Sequence, residues 1–312
     1  GPHKEILKQS HRARIARLAS VRIYRRILRN DLLPKLLHPD VLALYQIENP
    51  QKLLDLTDAE TTNHFAFAAS RVAHSMVRET YQLTPTLPVS LREIINNSSL
   101  HYPITVPTRI SWKIDWSLFF PAKGADTVKT NWAVLMGPHT ALPMSREGAA
   151  KSIKDEYPHG TPMRDLIADK LGGLRAVDAL LEQLKSKATS SVPALADPTP
   201  DIIARVLNAG FDALGIQAGA SDDPTIDLGA LEHAPPLTLY LLFEAMSESN
   251  GGRTFGPLGS ALVGDCFLPA FIDTPAQKGS ALNAMLLEQA VFTGIPISTM
   301  PDLIERLDQT ET

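Results

Sequence analysis

A mainly α-helical domain with little β structure is the fold class this chain predicts, and three observations predict it. Apolar residues recur at the three- and four-residue spacing of a buried helix face in most of the long segments. The two-residue turn signals that mark β-hairpins are scarce. Glycine and proline stand at the ends of the apolar runs, where helices stop. The 312 residues are 44% hydrophobic and 21% charged, so the chain has the composition and length of a globular protein with a sizeable core. A single helical domain over residues 4–300, with a C-terminal tail at 301–312, is the expected organisation. No internal repeat is present.

The elements follow in order. Residues 4–29 alternate Ile6, Ile15, Leu18, Ile23, Ile27 and Leu28 with a set of arginines at helical period, and Pro34 in "NDLLPKLL" is expected to end that helix. Thr57 or Asp58 can cap the next helix, with Glu60 in its first turn, and the apolar run continues to about Tyr81. Residues 84–110 are proline-rich and read as loop, "RISWKIDWSLFF" stays unassigned, and residues 121–160 are irregular. "TPMRDLIADKLGGLRAVDALLEQLKSK" is one helix, or two broken at Gly172–Gly173. "PDIIARVLNAGFDALGI" starts near Pro200, as a helix N-terminus allows. "PPLTLYLLFEAMSESNGG" is stopped by Gly251 and Gly252, and "GPLGSALVGDCFLPAFI" follows with apolar spacing.

Several function classes are excluded or disfavoured. The net charge of −4 gives no global attraction to nucleic acid or to anionic membranes. The arginines of residues 12–29 lie on several helical faces, which fits a solvated basic helix better than a nucleic-acid surface. One cysteine, Cys266, rules out an internal disulfide framework and any CxxC metal site. There is no HExxH, P-loop or GxGxxG pattern. His101, His139, His159 and His233 stand in loop-like settings without metal-ligand spacing. No run of 18 apolar residues occurs, so no membrane span is expected. The opening "GPH" reads as a protease-cleavage scar, so the lack of a visible signal peptide leaves the compartment open between the cytoplasm and secretion by a leaderless route.

The stretch "FAFAASRVAHSMVRETYQL" carries the chemistry. At helical spacing Arg71, His74 and Arg78 share one face, inside a run that is otherwise apolar. Ala69, Ala73 and Ser75 are small enough to let a flat group approach the backbone. Two readings fit. The bland one is a structural histidine at the edge of a solvated face. The other is a haem site, with imidazole as iron ligand and arginines for the two propionates.

The same stretch resembles the proximal-histidine helix of the animal-type haem peroxidase family, in its bacterial branch, where the helix reads like F-R-F-G-H-S-M-V-R. Three further segments are similar to the family's and stand in its order. They are "RIYRRILRNDLLPKLL", "ISWKIDWSLFF" and "PPLTLYLLFEAMSESNGGRTFGPLGSALVGDCFL". Together the four span residues 22–268.

The resemblance implies a haem-peroxidase-like helical fold with haem as cofactor. It implies His74 as the proximal iron ligand and Arg71 facing a propionate, with Arg78 on the same row. In the family an asparagine holds the proximal histidine. Here "PMRDLIAD" offers Asp165 in that place with Arg164 beside it, and Asn208 in "RVLNAGF" is a rival. A carboxylate partner would make the imidazole more anionic and favour ferric iron. The activity implied is peroxide-dependent oxidation of a halide, phenol or lipid, or a haem dioxygenase reaction.

The chain also departs from the family. Val72 and Ala73 replace the usual aromatic and glycine before the histidine. The family's distal residues, which handle the peroxide protons, fall before residue 1. A separate N-terminal half or a protein partner is therefore expected, and residues 1–312 alone should be weakly active or inactive. The competing expectation is a haem-free helical scaffold that binds a partner, since a fold can outlive its chemistry.

Overall fold

The computed structural model describes residues 2–98, 114–121, 130–141, 144, 160–187, 202–215, 228–247, 251–272 and 297–310. Helix takes 65% of the described residues and strand 5%, so the domain is mainly α-helical.

The first helix, α1 (Pro2–Ile27), does not stop at Pro34. It runs through a π-helical turn (Leu28–Leu32) into α2 (Leu33–Leu36). Leu33 N–H reaches back five residues to Leu28 C=O, which widens the turn ahead of the proline ring. The chain ends the helix three residues later, where Leu37 turns extended (φ −85°, ψ 146°). His38 is extended too (ψ 132°), as the residue before Pro39 must be. Then comes α3 (Pro39–Tyr45), where His38 Nδ1 accepts from Asp40 N–H.

The next helical run starts at α4 (Asp58–His64) with a capping box. Thr57 Oγ1 accepts from Glu60 N–H, and the Glu60 carboxylate accepts from Thr57 N–H at 2.8 Å. The run passes through a second π turn (Phe65–Ala69), α5 (Ser70–Val72) and a 3₁₀ turn (Ala73–Met76). The expected continuation to Tyr81 does not occur. Val77 is extended (φ −75°, ψ 136°), and the chain enters β1 (Thr80–Thr84).

The proline-rich loop expected from residue 84 is corrected in its first part. β1 pairs antiparallel with β2 (Leu87–Ser90), Tyr81 facing Val89, and α6 (Leu91–Ser98) follows. Among the described residues the ribbon has two strands, so Pro88 deprives no third described strand of a donor. In "ISWKIDWSLFF" the described part forms a 3₁₀ turn (Trp116–Leu118), capped by Asp115.

The "TPMRDLIAD…" segment is two helices, α7 (Gly160–Leu171) and α8 (Val177–Ser186), broken at Gly172–Gly173 with Gly173 at φ +63°. Then come α9 (Ile202–Ala213), α10 (Leu228–His233), α11 (Leu237–Ser247) and α12 (Pro257–Cys266). His233 ends a helix rather than lying in a loop. The C-terminal segment, expected as a tail, carries α13 (Met300–Thr310). Its start is fixed to the first helix by Met300 N–H on Asp31 and by packing of Met300 and Leu303 on Ile23, Ile27 and Ile297.

One main core joins these elements. Leu33, Leu37, Val41 and Tyr45 meet Ala68, Ala69 and Val72, with Leu180, Leu207, Phe243 and Leu262 among the buried residues that close it. Helix α12 is buried from Pro257 to Asp265, which suits its almost wholly apolar sequence. Its N-terminus is capped by the buried Glu244 carboxylate, which accepts from Leu258 N–H (2.9 Å) and Gly259 N–H (3.0 Å). Gly256 makes room for that contact, because a Cβ there would overlap the Glu244 side chain. At its other end Asp265 accepts from Tyr45 O–H (2.6 Å), Leu53 N–H (2.8 Å) and Leu54 N–H (2.9 Å).

His64 is fully buried and immediately precedes the π segment. Its Nδ1–H donates to Glu60 C=O (2.7 Å) and its Nε2 accepts from Arg175 N–H (2.9 Å), so the ring is held neutral. Burial, first, pushes its pKa below the usual 6.5. The unfolded chain therefore takes up a proton near pH 6.5 that the native state refuses. Stability should fall as pH drops from about 6.5 toward the lower folded value, by no more than about 1.4 kcal/mol per pH unit for one proton. Urea midpoints measured from pH 7.5 to 5 should show this slope in the wild type, and His64→Asn should flatten it.

Candidate functional site

Asp165 is where the sequence-predicted site comes together. It lies on the buried side of α7, which packs across the π segment, with Gly172 at the end of α7 close against Phe67. His74 Nδ1–H donates to Asp165 Oδ2 at 2.7 Å, and Arg71 Nη1 stands 3.5 Å from Asp165 Oδ1. The carboxylate side chain is only 8% exposed, against 27% for Arg71 and 34% for His74. His74 is thus a third exposed and does not lie in mid-helix, where a helical run continuing to Tyr81 would have placed it. It sits in the last 3₁₀ turn of its helical run, where the chain is about to turn away.

The π turn explains how Arg71 is held. In a regular α-helix Ala66 C=O would accept from Ser70 N–H. Here Ser70 N–H bonds to Phe65 and Ala68 carbonyls instead, and Ala66 C=O is left to accept from Ser70 Oγ–H and Arg71 Nε–H, both at 3.1 Å. Arg71 is therefore clamped at Nε and faces Asp165 with Nη1.

Arg78 is not on this row. The helix has ended before it, and its guanidinium donates to Trp132 C=O (2.8 Å) and Thr80 C=O (3.2 Å), tying the 130–136 segment to the ribbon. Its own N–H donates to Tyr81 Oη. Arg164 adjoins Asp165 on α7 and is half-buried. Asn208 sits on α9 with its Oδ1 buried and without a hydrogen bond, and it is Asp165 that accepts from His74 Nδ1–H. Cys266 is half-buried, and burial raises the pKa of its thiol.

Helix α7 is amphipathic in the reverse sense. Thr161, Asp165 and Asp169 face inward, while Met163, Leu166, Ile167 and Leu171 face solvent. Asp169 accepts from Thr238 N–H (2.5 Å) in the first turn of α11, so one acidic face fixes α7 to two neighbours. Apolar period alone would have turned this helix the other way. The signal that could have corrected it is the i, i+4 pair Asp165–Asp169, repeating the spacing of the buried apolar positions elsewhere.

The test of the haem expectation is what the imidazole has left to offer. With Nδ1–H committed to Asp165, Nε2 carries the free lone pair, it has no hydrogen-bond partner among the described residues, and the ring is a third exposed. That lone pair is of the kind that would hold a haem iron. The propionate role fits less well, because both Arg71 and Arg78 already have protein partners. Among the described residues no group of three or more His, Cys, Asp or Glu side chains is arranged to hold a metal ion. Comparisons of the chain with protein-family models, with curated proteins and with solved structures returned no match.

Removing a carboxylate separates site from scaffold energetically. Asp265→Ala leaves the Leu53 and Leu54 N–H groups buried and unpaired, at about 1–3 kcal/mol each, and leaves the Tyr45 phenol only its weaker bond to Ala261 C=O (3.1 Å), so a loss of about 3 kcal/mol or more is expected. Asp165→Ala should cost only about 1–2 kcal/mol, since water can reach both of its partners. Urea unfolding of the two variants beside the wild type gives the comparison.

Proposed function

We propose that this chain is a haem-binding protein of the peroxidase type, in which His74 would hold the iron through Nε2. The single observation that carries the reading is the 2.7 Å hydrogen bond from His74 Nδ1–H to the buried Asp165, which leaves a basic nitrogen open to solvent. The haem, when bound, supplies the peroxide chemistry. The chain's own residues fix the ring orientation (Asp165), hold that carboxylate (Arg71) and brace the adjoining loop (Arg78). The co-substrates are a peroxide and an oxidisable small molecule. Among the described helices none is long and apolar enough to cross a membrane, so no anchoring in a bilayer by such a helix enters the reading.

A second reading, a haem-free helical scaffold that binds a partner protein, is favoured by one observation. The two arginines offered for propionates are spent on Asp165, Ala66 C=O, Thr80 C=O and Trp132 C=O. Titration with hemin separates the two. The haem reading expects a Soret band that saturates at one equivalent in the wild type and is lost in His74→Ala. Equal uptake by both proteins would remove His74 from the site, and no uptake by the wild type would leave the scaffold.

Turnover is a separate matter. Positioned acid–base groups contribute roughly a hundred- to ten-thousand-fold to a proton-transfer step. No described residue has been assigned that role on the peroxide side. Guaiacol oxidation by the hemin-loaded chain should therefore stay close to that of free hemin. A rate far above free hemin, lost in His74→Ala, would show that a peroxide-side site is assembled from residues read here as structural.

A further inference from the structure

Arg71 and Asp165 face each other across a gap that the propionate role leaves unexplained. Asp165 Oδ2 accepts from His74, but Oδ1 is buried and makes no hydrogen bond, and its paired cation is Arg71 at 3.5 Å. An anion taken out of water this far needs a compensating charge. Arg71 meets that need in a fixed position, because Nε–H is held on the carbonyl that the π turn frees at Ala66. An arginine that anchors an external carboxylate presents its planar fork to it. Here Nε and Nη1 are both turned onto the protein's own acceptors.

We propose that Arg71 is a positioning residue. It acts on His74 through Asp165, keeping the carboxylate ordered so that the imidazole stays in the Nδ1–H form with the Nε2 lone pair outward, and it is not an anchor for an anionic ligand. A solvated imidazole favours the opposite form, with the proton on Nε2. The bulged helix is thus part of the device: the π turn frees Ala66 C=O, that carbonyl fixes Arg71, Arg71 holds Asp165, and Asp165 sets the proton on His74. The inference rests on His74 being the functional imidazole, but its test uses the protein without haem, so it and the haem reading fail separately.

The test is the pair of ring ¹⁵N chemical shifts of His74 in the labelled, ligand-free chain, read at a pH where the ring is neutral. The wild type should show a protonated Nδ1 and a bare Nε2. Arg71→Gln should move both shifts toward a mixture of the two forms, and Arg71→Lys, which keeps the charge but not the planar Nε–H, should fall between. In an Asp165→Asn background, Arg71→Gln should change nothing further. The ring shifts of His64, whose partners are Glu60 C=O and Arg175 N–H, should stay fixed throughout and report an intact fold. If Arg71→Gln does not fold, Arg71→Lys carries the comparison alone. Unchanged His74 shifts in a folded Arg71 variant would overturn the proposal. So would an equal effect of Arg71→Gln with Asp165 already replaced. So would a saturable response of the Arg71 Nε resonance to succinate, which would show an anion anchor.

Discussion

A carboxylate that is 2% exposed joins two distant stretches of this chain. Asp265, near the C-terminus of α12, accepts from the phenol of Tyr45 and from the N–H groups of Leu53 and Leu54. These bonds span more than two hundred residues of sequence. They fix α3 and the turn after it onto the central helix, and so set where α4 and the His74 run begin. Burial works against the charge and pushes the Asp265 pKa up, while the three donors pull it down. The same burial, with the neighbouring Asp265 charge, pushes the Tyr45 phenol well above its ordinary value, so the proton stays on the phenol in the shared bond. Gly264 belongs to the same arrangement, because a Cβ there would overlap the Tyr45 ring.

Carboxylates recur as the means by which helices are capped and joined, and two of them, Glu244 and Asp169, are buried. Glu244 caps α12, Asp169 caps α11, and Glu60 closes the capping box of α4 while pairing with Arg175. The backbone N–H of Thr57 and the Arg175 guanidinium bring the Glu60 pKa down to about 2. In each case the carboxylate meets the electropositive start of a helix, where backbone donors have no helical partner. Asp165 departs from that pattern. Its partners are the side chains of Arg71 and His74, both reachable by water. No helix terminus needs it, and this departure singles out the site among the acidic contacts.

Two π turns do similar mechanical work. The turn at Leu28–Leu32 carries the first helix across Pro34, and the turn at Phe65–Ala69 frees Ala66 C=O beneath Arg71. Each spends one regular backbone bond to place something a straight helix could not. In the first case that is a proline inside a continuing helix, and in the second a guanidinium held at its Nε–H.

The sequence by itself determined the helical class and, to within one residue, the capped start at Thr57–Glu60, and it offered the break at Gly172–Gly173 as one of two readings, because each depends on neighbours a few residues apart. It also presented Arg71, His74 and Asp165 as candidates. The helix end at Met76, which takes Arg78 off the His74 row, was decided by the ribbon that Tyr81 and Val89 build with a segment read as loop. The orientation of α7 was decided by Asp169 capping α11 and Asp165 meeting His74, against the pull of its own apolar residues. The choice between Asp165 and Asn208 as the partner of His74 was settled by packing alone. Residues 91 positions apart have no local coupling, so only the folded chain can bring one carboxylate, and not another polar group, to within 2.7 Å of an imidazole.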